Sequence, residues 1–445
     1  MKSRQPLAKI FSYGMRALVA IAVIAATTSA RAGTNYKVIH NFTGSAASGS
    51  FPVGNLVADP AGNFYGVTSE STDTSGYCYD DYQGCGAIFK LYPTAAGGWA
   101  ATNLHSFTGG LDGAAPQGGL VMDAAGNLYG TTSLGGVNSL GDIFELTPTS
   151  SGGWKYSIIY TFDPPTTGGG VPAGTMVVDS AGNLYGSTIG GGAEGYGTIF
   201  ELSPSSSGTW TKTILYSFLE STGYRPSGAL IFDSAGNLYG TTENGGDLTC
   251  GYGIGCGTVF ELSPNGSGGW SESVLHSFTG GFGEGMYPWY AGVIFDSAGN
   301  LYGTTSGGGH NSECDGGCGT VYKLSPNGSG GWTETVIHSF TGSDGTPGAG
   351  GAWPVYSLTA DASGNLYGNT YMGGTAGEGV VFKLTPSGSG WIESVVHSFS
   401  GSGGYYPYNS GLVFGPGALL YGMTSNGGAT DNCNPGCGTV FEVTP

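Results

Sequence analysis

Positive charge is scarce in this chain: 12 Lys and Arg in 445 residues, with charged residues of both signs making up 9%. A typical soluble domain has about 25%. Histidine is thin as well, at six. Apolar runs are short; the one from Ala17 to Ala26 is well below the about 20 residues that span a bilayer. No collagen period, nucleophile elbow, phosphate loop or zincin motif occurs. What is abundant is Gly, 89 residues, together with 27 Tyr, 20 Phe and 8 Trp. Gly at that density weakens helices most, which excludes a helical bundle, a coiled coil and a doubly wound α/β enzyme. The aromatic content supplies a core and excludes ordinary disorder. An all-β protein with many short strands and Gly-bearing turns remains.

The N-terminus has its own character. Lys2, Arg4, Lys9 and Arg16 precede the Ala17–Ala26 run, and Ala30-Arg31-Ala32 follows. That is the layout of a secretory signal peptide over 1–32, leaving 33–445 as the mature domain. The mature part keeps 7 basic residues against 30 acidic ones, a net charge of −23. Such a surface repels nucleic acid and anionic lipid, so neither is an expected partner, and no membrane span is expected in the mature chain.

Internal repeats decide the architecture. Asp-x-x-Gly-Asn-Leu-Tyr-Gly occurs at Asp123–Gly130, Asp179–Gly186, Asp233–Gly240, Asp296–Gly303 and Asp361–Gly368. Asp59–Gly66 carries Phe64 in place of Leu, and a worn copy lies at Gly415–Gly422. Each unit reads as four strands, for example Gly119–Asp123, Leu128–Thr132, Asp142–Leu146 and Ile158–Phe162. Seven such units predict a seven-bladed β-propeller of four-stranded blades. The last unit stops after its third strand, Thr439–Val443, while the mature N-terminus opens with an orphan fourth strand, Val38–Phe42. Pairing the two closes a ring and removes two exposed sheet edges.

The recurring Gly-Asn-Leu-Tyr-Gly-Thr-Thr, Gly-Thr-Val-Phe-Glu-Leu and His-Ser-Phe-Thr-Gly segments resemble the GloVer (Gloeo_Verruco) tandem-repeat family of exported bacterial proteins, of the choice-of-anchor type. The resemblance implies export and a repeat fold, with one of several C-terminal surface anchors in typical members; here the chain ends at Pro445 in a strand. It implies no established activity and no catalytic residues.

Among candidate sites, His40, His105, His276, His338 and His397 share one repeat position with Tyr160 and Tyr216. Tyr does not replace a metal-ligating imidazole or a base near pH 7, so the position reads as packing. His310 stands alone in a Gly-rich loop. The repeated Asp reads as a turn-capping residue. One carboxylate per turn falls short of the six to eight oxygens calcium takes, so calcium is no more than an open option and no cofactor is predicted. The eight cysteines form close pairs, Cys78/Cys85, Cys250/Cys256, Cys314/Cys318 and Cys433/Cys437, each between second and third strands. Repeat position and an export signal favour local disulfides over zinc.

In a propeller the loops joining strands two and three and those joining blade to blade share one face. Three consecutive blade-connecting loops are crowded with rings: Tyr287, Trp289 and Tyr290; Trp353 and Tyr356; Tyr405, Tyr406 and Tyr408. Asn311, Glu313, Asp315, Asp431 and Asn432 lie in neighbouring Cys loops. Rings interleaved with Asn and carboxylates suit sugars, and equally suit sealing of blade seams. The expectation is a secreted monomer, extracellular, periplasmic or at the cell surface, that binds an extracellular polymer, a glycan first. A polysaccharide hydrolase or lyase is the alternative, with Glu284, Glu313 and Asp344 as its candidate acids. A surface adhesion or structural protein contacting another surface protein is the third. Binding ranks ahead of catalysis.

Overall fold

The computed structural model describes residues 36–71, 84–163, 168–310, 314, 316–342, 351–388, 390–429, 432–434 and 436–445. The expected signal segment, Cys78, Asn311, Glu313, Asp315, Asp344 and Asp431 lie outside them. Seven four-stranded antiparallel sheets follow one another along the chain and form the blades of a propeller. Blades 1 to 6 occupy 50–106, 121–161, 170–217, 231–277, 294–339 and 359–398. Blade 7 takes three strands from 413–443 and its fourth from Tyr36–Asn41. That closing strand pairs Tyr36 with Val443 and Asn41 with Thr439, with a register shift between Val38 and His40.

Blade 2 shows how the repeat is read. Val121–Met122 pairs with Leu128–Thr132, then come Asp142–Pro148 and Trp154–Thr161. The outer strand begins earlier than the expected Ile158, because Trp154 pairs with Pro148 directly across the turn. The inner ladder is shorter than the expected Gly119–Asp123. Gly118 and Gly119 instead pack against the backbones of neighbouring blades, where a Cβ on Gly118 would overlap the Gly174 carbonyl.

The Asp turn caps itself. In the first copy both the Ala61 and Asn63 amides donate to Asp59 Oδ1 at 2.9 Å, while Asn63 Nδ2 and Tyr65 Oη donate to Oδ2. The same bonds recur at Asp123, Asp179, Asp233, Asp296 and Asp361. Burial pushes the Asp233 carboxyl up, but the Asn237 and Ala235 bonds outweigh it and hold it below the usual carboxylate range.

The core lies in the seams between blades. Buried Phe from the end of each outer strand meets a buried ring on the third strand of the next blade, as Phe107 meets Phe144, Phe278 meets Tyr322 and Phe42 meets Phe89. The centroid distances in all seven seams run from 5.0 to 5.6 Å. Gly after the repeated Tyr makes room for that ring: a Cβ on Gly240 would sit 2.7 Å from Phe260. The outer strands add a second contact. His105 stacks on Tyr156 at 3.7 Å and His397 on Tyr36 at 3.6 Å. Lys212 takes the same place over Tyr160, at 5.0 Å from the ring centre.

Candidate functional site

The residue before each linker Pro has a left-handed backbone. Phe51, Ala115, Val171, Arg225, Tyr287, Trp353 and Tyr406 have φ between 49° and 60°. That region is uncommon for non-Gly residues and a clear outlier for β-branched Val171. Hydrogen bonds on both sides hold it. Each of the seven amides donates to a carbonyl in the preceding blade's loop at 2.8 to 3.1 Å. Carbonyls such as those of Tyr287 and Trp353 accept from Ser306 and Tyr371, at the end of their own second strand. The Pro then seats on the Gly that opens the preceding third strand; a Cβ on Gly319 would lie 2.6 Å from Pro354. The backbone is therefore spent on the scaffold, and the side chain is left to face outward or sideways.

The cysteines belong to this arrangement. Cys250–Cys256, Cys314–Cys318 and Cys433–Cys437 are bonded, with Cα separations of 5.6, 5.1 and 5.1 Å. Cys85 is also disulfide-bonded. The carbonyls of Cys85, Cys256, Cys318 and Cys437 are the acceptors for Ala115, Tyr287, Trp353 and Phe51. Each bridge thus fixes the loop on which the next blade's left-handed residue is docked.

Rings converge between blades 5, 6 and 7. A cleft of about 380 Å³ is lined by Met286, Tyr287, Trp289, Trp353, Tyr371 and Tyr408, with Ser306, Val355 and the glycines 307, 316 and 317. Tyr287 and Trp289 lie near-parallel at 6.3 Å, and Trp353 and Tyr371 at 6.4 Å. Tyr371 meets Tyr408 at 5.5 Å and 71°, so the lining turns a corner. Trp289 is 42% exposed. Burial pushes the phenols of Tyr287, Tyr371 and Tyr408 up, with nearby Tyr252, Tyr406 and Glu243 adding to the three in turn. They remain neutral donors at physiological pH. Tyr405 and Tyr406 continue the aromatic surface, 5.0 Å apart, and Tyr290 lies 6.3 Å from Tyr408. Exposed large apolar side chains also favour this face: Leu111, Val137, Leu219, Tyr252, Phe282 and Trp289 are all on its loops.

Tyr356 departs from the expected display. It is 5% exposed, and its hydroxyl meets Thr175 Oγ1 at 3.1 Å, three blades away. Thr175 Oγ1 also accepts the Gly119 amide, Thr304 Oγ1 donates to the Tyr356 carbonyl, and Asn409 Nδ2 donates to the Gln117 carbonyl. These links join the linkers before blades 2, 6 and 7 to strands of blades 3 and 5 across the ring. The linker before blade 6 runs over the axis, a placement that its aromatic composition alone does not signal.

Of the remaining candidates, Glu284, His310 and Asn432 are described and are not among the residues lining the cleft. Glu284 accepts from the Thr279 hydroxyl, and its charge reaches His276 and Glu334 on outer strands. His310 is exposed and meets Phe282 edge-on at 5.0 Å. Asn432 Nδ2 donates to the Thr43 carbonyl. Among the described residues no cluster of three or more His, Cys, Asp or Glu is placed to hold a metal ion. No helix among them is long and apolar enough to cross a membrane.

Three contributors escaped sequence reasoning: Tyr371 and the Arg225–Glu243 pair. Arg225 Nε donates to Glu243 Oε2 at 2.7 Å, and Glu243 is 5% exposed. The available signal is a broken pattern. Ser69, Ser133, Ser306 and Ser425 hold one repeat position after the second strand; Glu243 and Tyr371 replace Ser there.

The sequence profile of the Gloeobacter/Verrucomicrobia repeat matches residues 25–177, 149–352 and 315–445. No curated protein matches. Among solved structures, a luciferin-regenerating enzyme is similar over 74% of this chain and 91% of its own, at 15% identity and a TM-score of 0.43. An oxidoreductase described as a glucose dehydrogenase, from Thermus thermophilus, is similar over 74% and 96%, at 16% and 0.39. A protein of unknown function from Dyadobacter fermentans is similar over 92% and 98%, at 11% and 0.42.

Proposed function

This chain belongs to the Gloeobacter/Verrucomicrobia repeat family, and on that footing we propose that it is an exported propeller that binds an extracellular polymer, a glycan, across its loop face. The observation that carries this reading is the convergence of Tyr287, Trp289, Trp353, Tyr371 and Tyr408 on one open cleft. Planar rings stack on the C–H faces of sugars, and the phenols at the rim can meet hydroxyls. Tyr405 and Tyr406 extend the platform beyond the cleft, so more than one sugar unit can lie along it. The disulfides fit an oxidising compartment, as does a signal peptide over 1–32. Binding ranks ahead of hydrolysis because a glycosidase needs two carboxylates about 5–10 Å apart at the sugar, and no carboxylate lines this cleft among the described residues.

A glycan array probed with the protein and with its Trp289→Ala and Trp353→Ala variants tests this. Retained oligosaccharides that the variants release support it. No retention at all, or retention that both variants keep, overturns it.

A further inference from the structure

The cleft is unusual in what it withholds. Among the described residues that line it, none is Lys, Arg, His, Asp or Glu. Its few polar groups are mostly engaged: the Ser306 hydroxyl donates to the Tyr287 carbonyl at 2.8 Å, and Trp353 Nε1 donates to the Gly317 carbonyl at 3.3 Å. The polar side-chain groups that remain among the described lining residues are the phenol hydroxyls and the indole of Trp289, which is 42% exposed. A guest rich in donors and acceptors would leave some of them unpaired if it entered fully, so a sugar chain would lie across the open mouth with its hydroxyls toward water. A quaternary ammonium head forfeits no hydrogen bonds on entry, and the ring faces must replace the hydration its charge gives up.

What the cleft offers instead is π surface from several directions. Five rings line it, the Tyr371 and Tyr408 planes stand 71° apart, and the Tyr287–Trp289 and Trp353–Tyr371 pairs supply further faces and edges. Ring faces are electron-rich and attract cations, most effectively when desolvated. The protein as a whole carries a net charge of −18, which draws cations toward it. Arg225, whose charge reaches the adjacent Tyr290, is paired with Glu243 at 2.7 Å and does not oppose this.

We infer that the cleft between blades 5, 6 and 7 is a receptor for a quaternary ammonium group. The guest is a trimethylammonium head such as that of choline, free or carried as a substituent on a polymer. This goes beyond the polymer reading: the rim and the Tyr405–Tyr406 surface would meet the chain, and the cleft its cationic substituent.

The repeat supplies variants that the fold already tolerates. Ala115 stands in blade 2 where Trp353 stands in blade 6, and Ser69, Ser133, Ser306 and Ser425 stand where Tyr371 does. Trp353→Ala and Tyr371→Ser therefore keep a side chain that the same backbone position holds elsewhere. Choline, tetramethylammonium and the uncharged isostere of choline with carbon in place of nitrogen would be titrated against the purified protein, with tryptophan fluorescence and calorimetry as readouts. The expected result is saturable choline and tetramethylammonium binding, about tenfold tighter than the isostere. Each variant is expected to weaken it by a similar factor while still unfolding cooperatively, with Trp353→Ala the less stable of the two because Trp353 packs against the core. Equal affinity for the isostere overturns the inference, as does absence of choline binding. Either failure, with oligosaccharides still retained on the array, leaves the polymer reading standing. Choline binding with no glycan retained on the array supports it and removes the polymer reading.

Discussion

Two arcs of the loop face share a backbone and differ in side chains. In blades 1 to 3 the left-handed position before Pro holds Phe51, Ala115 and Val171, and the position after the second strand holds Ser69, Ser133 and Ile189. In blades 4 to 7 the same positions hold Arg225, Tyr287, Trp353 and Tyr406, facing Glu243, Ser306, Tyr371 and Ser425. The amide bonds to the preceding loop are the same throughout, within 2.8 to 3.1 Å. The shared backbone therefore accepts side chains as different as Ala and Trp at φ near 55°, although Tyr287 and Trp353 also pack against the core beside them. An ion pair in blade 4 and stacked rings in blade 6 occupy one and the same pair of positions. A difference that the fold does not require is where a ligand-selected feature should be sought.

The largest effects should be blind to the arcs. Phe144→Ala in blade 2 and Phe382→Ala in blade 6 remove equivalent seam rings, both fully buried. Each is expected to cost about 3–5 kcal/mol by denaturant unfolding; costs that differ widely would show that the seams are not equivalent and break the comparison. Next comes the disulfide beside the cleft. Replacing Cys314 and Cys318 by Ser opens a short loop and is expected to cost about 2 kcal/mol. Because Trp353 docks on the Cys318 carbonyl, ligand affinity should fall as well, whereas loss of Cys85, beside Ala115, should leave affinity unchanged. Side-chain exchange sharpens the contrast: Tyr287→Ala, which copies blade 2, should cost about 1–2 kcal/mol, less than a seam ring, because Tyr287 packs only partly against the core. The same change should lower ligand affinity about tenfold by calorimetry.

The smallest effect concerns protons. Burial pushes Glu272 and Glu334, on the outer strands of blades 4 and 5, up to about 7. Their unfolded values lie near 4.5, so the folded state holds its protons longer. That contribution to stability is present below pH 4.5 and is lost as pH rises through about 7. Burial pushes His338 and His397 down to about 4, and their contribution runs oppositely, lost as pH falls from 6.5 through about 4. Blades 1 to 3 carry Ala101, Tyr156 and Lys212 where blades 4 to 6 carry Glu272, Glu334 and Glu393. The outer-strand glutamates thus belong to one arc, while burial also pushes Glu70 in blade 1 and Asp142 in blade 2 up, so the alkaline loss is shared and only its outer-strand part is one-sided. Thermal midpoints of a Glu272→Gln, Glu334→Gln double variant should fall less between pH 4.5 and 7 than those of the parent; an unchanged slope would assign the titration to other groups.

The blade count, the closing strand, the Asp turns and the shared loop face were legible in the sequence because they are local and repeated seven times. Strand alternation and turn chemistry report on the backbone, and seven copies average out their noise. Tyr356 and Tyr371 were not legible for opposite reasons. Tyr356 looks like Tyr290 in composition, but its linker crosses the axis, and only the packing of Gly119, Thr175 and Gly411 around it decides that. Tyr371 hides in a variable loop, yet it interrupts a Ser pattern that four other blades keep. The early start of the outer strand at Trp154 was missed because a Pro/Ser/Gly-rich turn gives no sign of how tightly it folds back.

The hydroxyl contact between Tyr356 and Thr175 spans the hub of the wheel. On the reading proposed above, a polymer would meet the loop face from outside, and neither of its ends would have to enter the ring.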